Sequence, residues 1–208
     1  RLILDHHIPL IGGVTPFGVH LTPYFYWFLA PILFLGNLNP ISWGWAGALI
    51  ATVTTLMIFI VGREFTNNKI AVTAAIFWTF SYLANIYDRH LWALFLGPLL
   101  SLVVIFSLNK IIKKRTNFTF LLALAIVAGI AADPSNVVFI ILTIFVWIYY
   151  KIPFSRKTVF SILLVICSLT PLVLFDLRHN FANSKPFLNY LNQTKESRFQ
   201  NQTPLDKS

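Results

Sequence analysis

Seven apolar runs, separated by short polar breaks, occupy most of this chain: Leu21–Gly36, Ile41–Gly62, Ile70–Ala84, Leu91–Leu108, Phe118–Ala132, Val137–Tyr150 and Thr158–Phe175. A helix crossing the ~30 Å hydrocarbon core of a bilayer needs about 17–25 mostly apolar residues. Ile41–Gly62 is the clearest candidate. Phe118–Ala132 and Val137–Tyr150 are shorter and meet at Asp133-Pro134-Ser135-Asn136. Residues 1–20 read as loop, punctuated by Pro9, Gly12-Gly13, Pro16 and Gly18. The pattern predicts an all-α polytopic transmembrane bundle over residues 1–178, followed by a polar juxtamembrane tail at 179–208 that leads into further sequence. The start at Arg1, in mid-polar sequence, likewise leads us to expect a preceding helix.

The charges in the breaks set the expected topology. The segments 63–69, 109–117 and 151–157 carry nine of the sixteen Lys and Arg residues. Short basic loops stay on the cytoplasmic side, and these three share a side only if two crossings separate each neighbouring pair. The runs between them supply those crossings, giving six spanning helices within 41–175. Leu21–Gly36 cannot be a seventh crossing on this basis. Its Pro23 and Pro31 and its Tyr24–Trp27 aromatic cluster suit a helix at the outer interface. The breaks at 85–90 and 132–136, the loop 1–20 and the tail then lie outside. Six of the seven acids and all five histidines fall on that external side. A bundle with a purely structural role has no need to collect its ionisable groups there.

Composition fits a membrane protein: of 208 residues 57% are apolar and 11% charged, with a mean hydropathy of +0.72, against about 25% charged in soluble domains. The net charge of +9 is spread through short loops, a topology signal rather than a nucleic-acid footprint. Cys167 is the only cysteine, which excludes a disulfide framework and a cysteine metal site. His6-His7 has no third ligand at zinc spacing, and Gly12-Gly13 lacks the spacing of a phosphate loop. Asn192-Gln193-Thr194 and Asn201-Gln202-Thr203 are sequon-like, at the level expected by chance.

The densest polar patch is Asn85-Ile86-Tyr87-Asp88-Arg89-His90, an acid, a permanent cation and an imidazole in sequence between two apolar runs. Such groups sit at the rim of the hydrocarbon or in a paired, watered cavity. Each candidate also has a plainer reading. Arg89 and Arg178 suit interfacial anchors paired with Asp88 and Asp176, and Asp133-Pro134 suits a helix cap and turn.

The stretch His20-Leu21-Thr22-Pro23-Tyr24-Phe25-Tyr26-Trp27-Phe28-Leu29-Ala30-Pro31 resembles the H-x-P-L-Y-Y-x-L-x-x-P stretch of polytopic GT-C glycosyltransferases. The likeness is to the branch holding protein O-mannosyltransferases and the lipid A aminoarabinose transferase. Val61-Gly62-Arg63-Glu64-Phe65 is similar to that family's helix exit to the cytoplasm, and Tyr87-Asp88-Arg89 stands where the family has Y-S-R. Phe175-Asp176-Leu177-Arg178-His179-Asn180 resembles a juxtamembrane stretch of bacterial members. The likeness runs over residues 8–190.

Three departures accompany it. The family's catalytic acid belongs to a region before Arg1, Asp5 lies too near His20 to match it, and Leu91-Trp92-Ala93-Leu94 replaces an acid found after the arginine. In the fourth external stretch Asp133-Pro134-Ser135 stands where a histidine is common.

The resemblance implies sugar transfer from a polyprenyl-phosphate donor to a lipid, glycan or protein acceptor, at the extracytoplasmic face of a bacterial or archaeal plasma membrane. The lipid-linked sugar is a co-substrate, and neither a cofactor nor a metal site is implied. Arg89, His90, Arg178 and His179, with His20 and Tyr24, form the expected substrate- and lipid-phosphate-binding set; Asp88 and Asp133 are the expected acid/base candidates. A transporter or flippase and a non-catalytic membrane scaffold are the alternatives. The transporter is disfavoured because the ionisable residues lie at the ends of the runs and no inverted repeat is visible.

Overall fold

The structure, a computed structural model, describes residues 11–14, 20–89, 93–182 and 184–186, and only the backbone of Asp88 and Arg89. Asp5, His6-His7, His90 and the sequon-like motifs of the tail lie outside the described residues. The described chain is helical, with no strand beyond an isolated bridge between Val14 and His20. Its helices are α1 (Tyr24–Leu35), α2 (Ile41–Phe65), α3 (Asn68–Phe80), α4 (Tyr82–Arg89), α5 (Gly97–Ile112), α6 (Phe118–Ala132), α7 (Val138–Tyr149), α8 (Arg156–Ser168) and α9 (Thr170–Arg178). Single 3-10 turns at Ala93–Leu96 and Pro134–Val137 lead into α5 and α7.

Three helical stretches are long and apolar enough to cross a membrane: Ile41–Phe65, Ala93–Ile112, and Arg156–Arg178 formed by α8 and α9 together. The other expected crossings are shorter helices. α6 has 15 residues and α3 has 13, or ~22 and ~20 Å at 1.5 Å per residue. α1, at 12 residues, is ~18 Å long.

The run Ile70–Ala84, expected to be one helix, is broken at Ser81, where ψ turns to 118°. The break leaves the Thr79 carbonyl without a helical donor, costly in an apolar setting, and the Asn85 side chain recovers it while adding a second bond to the Ser81 carbonyl, which already accepts the Asn85 N–H at 3.1 Å. The side-chain amide donates to the carbonyls of Thr79 and Ser81 at 3.0 and 2.9 Å. Asn85, first residue of the densest polar patch, is thus a stitch across a helix break.

Helix α6 is the central strut. Leu122, Ala125 and Ile126 are buried with Val104, Leu108 and Ile111 of α5 and Phe139 of α7, and α8 packs along α6 as well. Small residues permit this approach. A Cβ on Gly129 would stand 2.8 Å from the Phe139 ring, and one on Gly62 3.0 Å from Ala71 across the α2–α3 pair.

Polar side chains bring the three basic segments together at one end of the bundle. Glu64, at the end of α2, accepts hydrogen bonds from Lys110, from Lys113 at 3.0 Å and from Asn109 at 3.3 Å. Lys157, at the start of α8, donates to Asn117, just before α6. The charge pattern required the segments 63–69, 109–117 and 151–157 to share a side, and the fold joins them side chain to side chain.

Two outcomes test this architecture. Gly129→Val should lower stability by about 1–3 kcal/mol, the usual cost of overpacking, read as the melting temperature in detergent. In a Cys167→Ser background, Lys114→Cys and Phe154→Cys should react with a membrane-impermeant maleimide from the side opposite to Ser135→Cys and Asn180→Cys. Labelling of Lys114→Cys and Phe154→Cys from opposite sides would contradict the shared basic end.

Candidate functional site

The end of the bundle away from the basic segments is assembled from the chain's first and last described portions. Residues 11–14 pair with 20–22: Gly12 N–H donates to the Leu21 carbonyl at 2.7 Å, and Leu21 N–H to that of Gly13 at 2.8 Å. A Cβ on Gly12 would fall 2.4 Å from the Thr22 carbonyl oxygen, so only glycine allows this pairing. Gly12-Gly13 therefore has a clear task, to hold His20 and Thr22 in place at the head of α1.

The opposite wall is the α8–α9 junction. Pro171 has no N–H and cannot continue the helical ladder, and the Leu172 N–H turns to the Leu169 carbonyl at 3.1 Å. That leaves the Ser168 carbonyl without its usual i+4 donor. The Tyr24 hydroxyl supplies the bond, donating to it at 2.6 Å across 144 residues of sequence. Burial pushes the Tyr24 phenol above its ordinary value of 10.0, because the anion would lose water it cannot replace.

One turn on, Phe175 and His179 lie at i and i+4 on α9 and stack with ring centroids 4.2 Å apart. His179 Nδ1 is 2.9 Å from the Phe175 carbonyl, and a carbonyl can only accept, so the proton sits on Nδ1. His20 meets the same Phe175 ring edge-on at 5.6 Å. Arg178 is exposed in the last turn of α9, where a cation complements the helix dipole. Beside it, buried Asp176 accepts the Ser184 hydroxyl.

Three of the expected substrate-binding residues, His20, Tyr24 and His179, are thus brought from distant parts of the chain to one seam between the head of α1 and the α8–α9 segment, the α1–α9 seam, and Arg178 precedes His179 in the last turn of α9. Thr22 lies in the same seam at 4% exposure, and its hydroxyl makes no hydrogen bond among the described residues; nor does the indole N–H of Trp27, whose ring packs edge-on against Tyr24 at 5.2 Å.

Asp133 is placed differently. It is half-buried at the end of α6, and its Oδ1 accepts the Ser135 N–H at 2.7 Å with Pro134 in the first turn. This is the helix-cap geometry. Among the described residues the ion pairs are those of Glu64 with Lys110 and Lys113, and no hydrogen bond or ion pair links Asp133 to Arg178. Asp88 and Arg89 form the last turn of α4; their side chains and His90 lie outside the described residues.

Sequence reasoning missed Ser168 and Thr22. Pro171 was the available signal for the first, since a proline inside an apolar run frees a carbonyl nearby. Nothing local singles out Thr22. Compared with protein-family models, with curated proteins and with solved structures, the chain has no match.

Tyr24 gives a pH test. A phenol whose folded pKa is raised keeps its proton after the unfolded chain has lost it, so the folded state loses stability as pH rises above about 10. Wild-type protein should show this loss in melting temperature between neutral pH and pH above 10, and Tyr24→Phe should lack that component. At neutral pH Tyr24→Phe should cost about 0.5–1.5 kcal/mol for the missing hydrogen bond.

Proposed function

We propose that this chain is the transmembrane part of a glycosyltransferase that moves a sugar from a polyprenyl-phosphate donor to an acceptor hydroxyl at the extracytoplasmic face. The observation that carries this reading is the α1–α9 seam, where His20, Tyr24 and His179 gather at the end of the bundle opposite the basic segments, with Arg178 exposed in the adjoining last turn of α9. In this reading all six runs within 41–175 cross the bilayer, the shorter helices being completed by their flanking turns, and α1 lies at the outer interface.

The chemistry asks for three things. The phosphate of the donor needs cations at the headgroup level, and Arg178 offers a guanidinium whose fork suits two phosphate oxygens. Arg89, at the end of α4, is the second candidate cation, with His90 beside it. His179, protonated on Nδ1, and His20 supply further polar contacts to phosphate or sugar. In the reaction the acceptor oxygen bonds to the anomeric carbon, and the bond from that carbon to the phosphate oxygen breaks. The electron pair leaves with the polyprenyl phosphate, and the acceptor's proton passes to a carboxylate. Asp88 and Asp133 are the candidate carboxylates for that step, Asp176 being buried and already engaged by Ser184. For Asp133 the cap occupies one oxygen and leaves the second to serve as base.

Membranes carrying the protein, given a radiolabelled polyprenyl-phosphate sugar, should transfer label covalently to an acceptor. Arg178→Ala should lower that transfer about tenfold or more, as loss of a charged hydrogen bond to phosphate does, while Arg178→Lys retains part of it. Label that enters sealed vesicles without covalent transfer would instead identify a transporter.

A further inference from the structure

Helices α7 and α8 follow one another in sequence yet splay apart. α8 packs along α6, whereas α7 is held mainly where it continues from the 3-10 turn at Pro134–Val137 and against α5. The space between them is a cavity of about 520 Å³ with α6 as its floor and the turn at 151–154 at one end. That volume falls within the ~300–1,000 Å³ of small-molecule sites.

The lining contains hydroxyls, but none is offered to a ligand. Thr119 donates to the Thr116 carbonyl at 2.9 Å, Thr143 to that of Phe139 at 2.7 Å and Ser161 to that of Lys157 at 2.9 Å. Thr158 is engaged with Ser155 in the capping box of α8. What remains facing the cavity is hydrocarbon and the Trp147 ring. An occupant recognised here along its length is therefore a hydrocarbon chain.

The end at this turn is charged. Lys151 is the single ionised residue of the lining, fixed at the mouth by the turn that ends α7: Lys151 N–H donates to the Ile148 carbonyl and Ile152 N–H to that of Trp147, each at 3.2 Å. α8 begins there with Arg156 and Lys157 and has no acid in its first turn. A helix N-terminus is already the positive end of the dipole, and cations placed on it repel it. Lys151 at the mouth is thus followed by the positive start of α8 with Arg156, while Lys157 donates to Asn117, and the exposed rings of Tyr149 and Tyr150 stand next to Lys151 in sequence in the manner of residues at a headgroup layer. An anion relieves this accumulation.

From this pairing of an apolar trough with a positive mouth we infer that the α6–α7–α8 groove holds an acyl chain of an anionic phospholipid from the cytoplasmic leaflet. The lipid phosphate sits between Lys151 and the start of α8. This site is at the opposite end of the bundle from the α1–α9 seam and does not depend on the sugar-transfer reading.

The test uses the full chain reconstituted in nanodiscs containing phosphatidylglycerol or phosphatidylcholine with dibrominated acyl chains. Bromine quenches nearby indoles, and subtracting the signal of Trp147→Phe isolates Trp147. Its quenching should be half-maximal at about a fivefold lower mole fraction of the anionic lipid than of the zwitterionic one, the effect expected of one basic residue near the phosphate. Lys151→Gln with Arg156→Gln should merge the two curves. Ser161→Phe, which fills the groove, should remove quenching by both lipids.

Equal curves in the wild type overturn the inference, as does a preference that survives the double substitution. Absence of Trp147 quenching by either lipid overturns it too, because another protein segment would then fill the groove. Native mass spectrometry checks the same point without the bulky variant: wild-type protein should retain phosphatidylglycerol adducts that Lys151→Gln loses. Equal retention by both would count against the site.

Discussion

One carboxylate organises the polar end of this bundle. Glu64 ends the longest helix and receives two lysines and an asparagine from the end of α5. Without it, the segments 63–69 and 109–117 would present uncompensated positive charge to each other. With it, α2 and α5 finish side by side, and the order of the remaining helices follows. α6 must then leave from the same end that α5 reached, α7 must return, and α8 must start where Lys157 meets Asn117. Lys110, only 12% exposed at its side chain, also rests over the Phe106 ring at 5.0 Å, so its apolar stem and its charge are both used.

The two ends of the molecule are built by different chemistry. At the basic end, charged side chains reach between helix termini. At the other end, contacts are aromatic and backbone-directed: Trp43 meets Phe25 and Phe95 edge-on, Tyr24 takes a main-chain carbonyl, and Phe175 stands between two histidines. Its polar groups, the Tyr24 hydroxyl and the two imidazoles, are carried on rigid rings.

Much of this was legible in the residues. The apolar runs marked where helices form, and the Lys and Arg breaks marked which ends belong together, because both signals act over a few residues. The helix break at Ser81 was not legible, since Ile70–Ala84 is interrupted only by isolated aliphatic hydroxyls, Thr73, Thr79 and Ser81, which helices tolerate, and the deciding partner, Asn85, lies in the polar patch beyond it. The three full-length candidates were confined to Ile41–Phe65, Ala93–Ile112 and Arg156–Arg178, because turns at Ser81, Lys114, Asp133 and Lys151 shorten the rest. Within the candidate site, His20, Tyr24, Arg178 and His179 could be named from sequence. The α1–α9 seam could not, because it depends on a carbonyl that Pro171 releases. Asp133 was named for two roles, and the one that needs only its immediate neighbours, the cap, is the one its geometry displays.

The Tyr24–Ser168 bond has a bearing on biogenesis. A chain made from its N-terminus presents α1 long before the acceptor carbonyl exists, so α1 must remain unanchored on that side while the seven helices α2 to α8 are made. Only when Pro171 enters and α9 turns does the seam close. The segment bearing His20 and Thr22 is thereby fixed on that side only once α9 exists, although it precedes α2 to α8 in the chain.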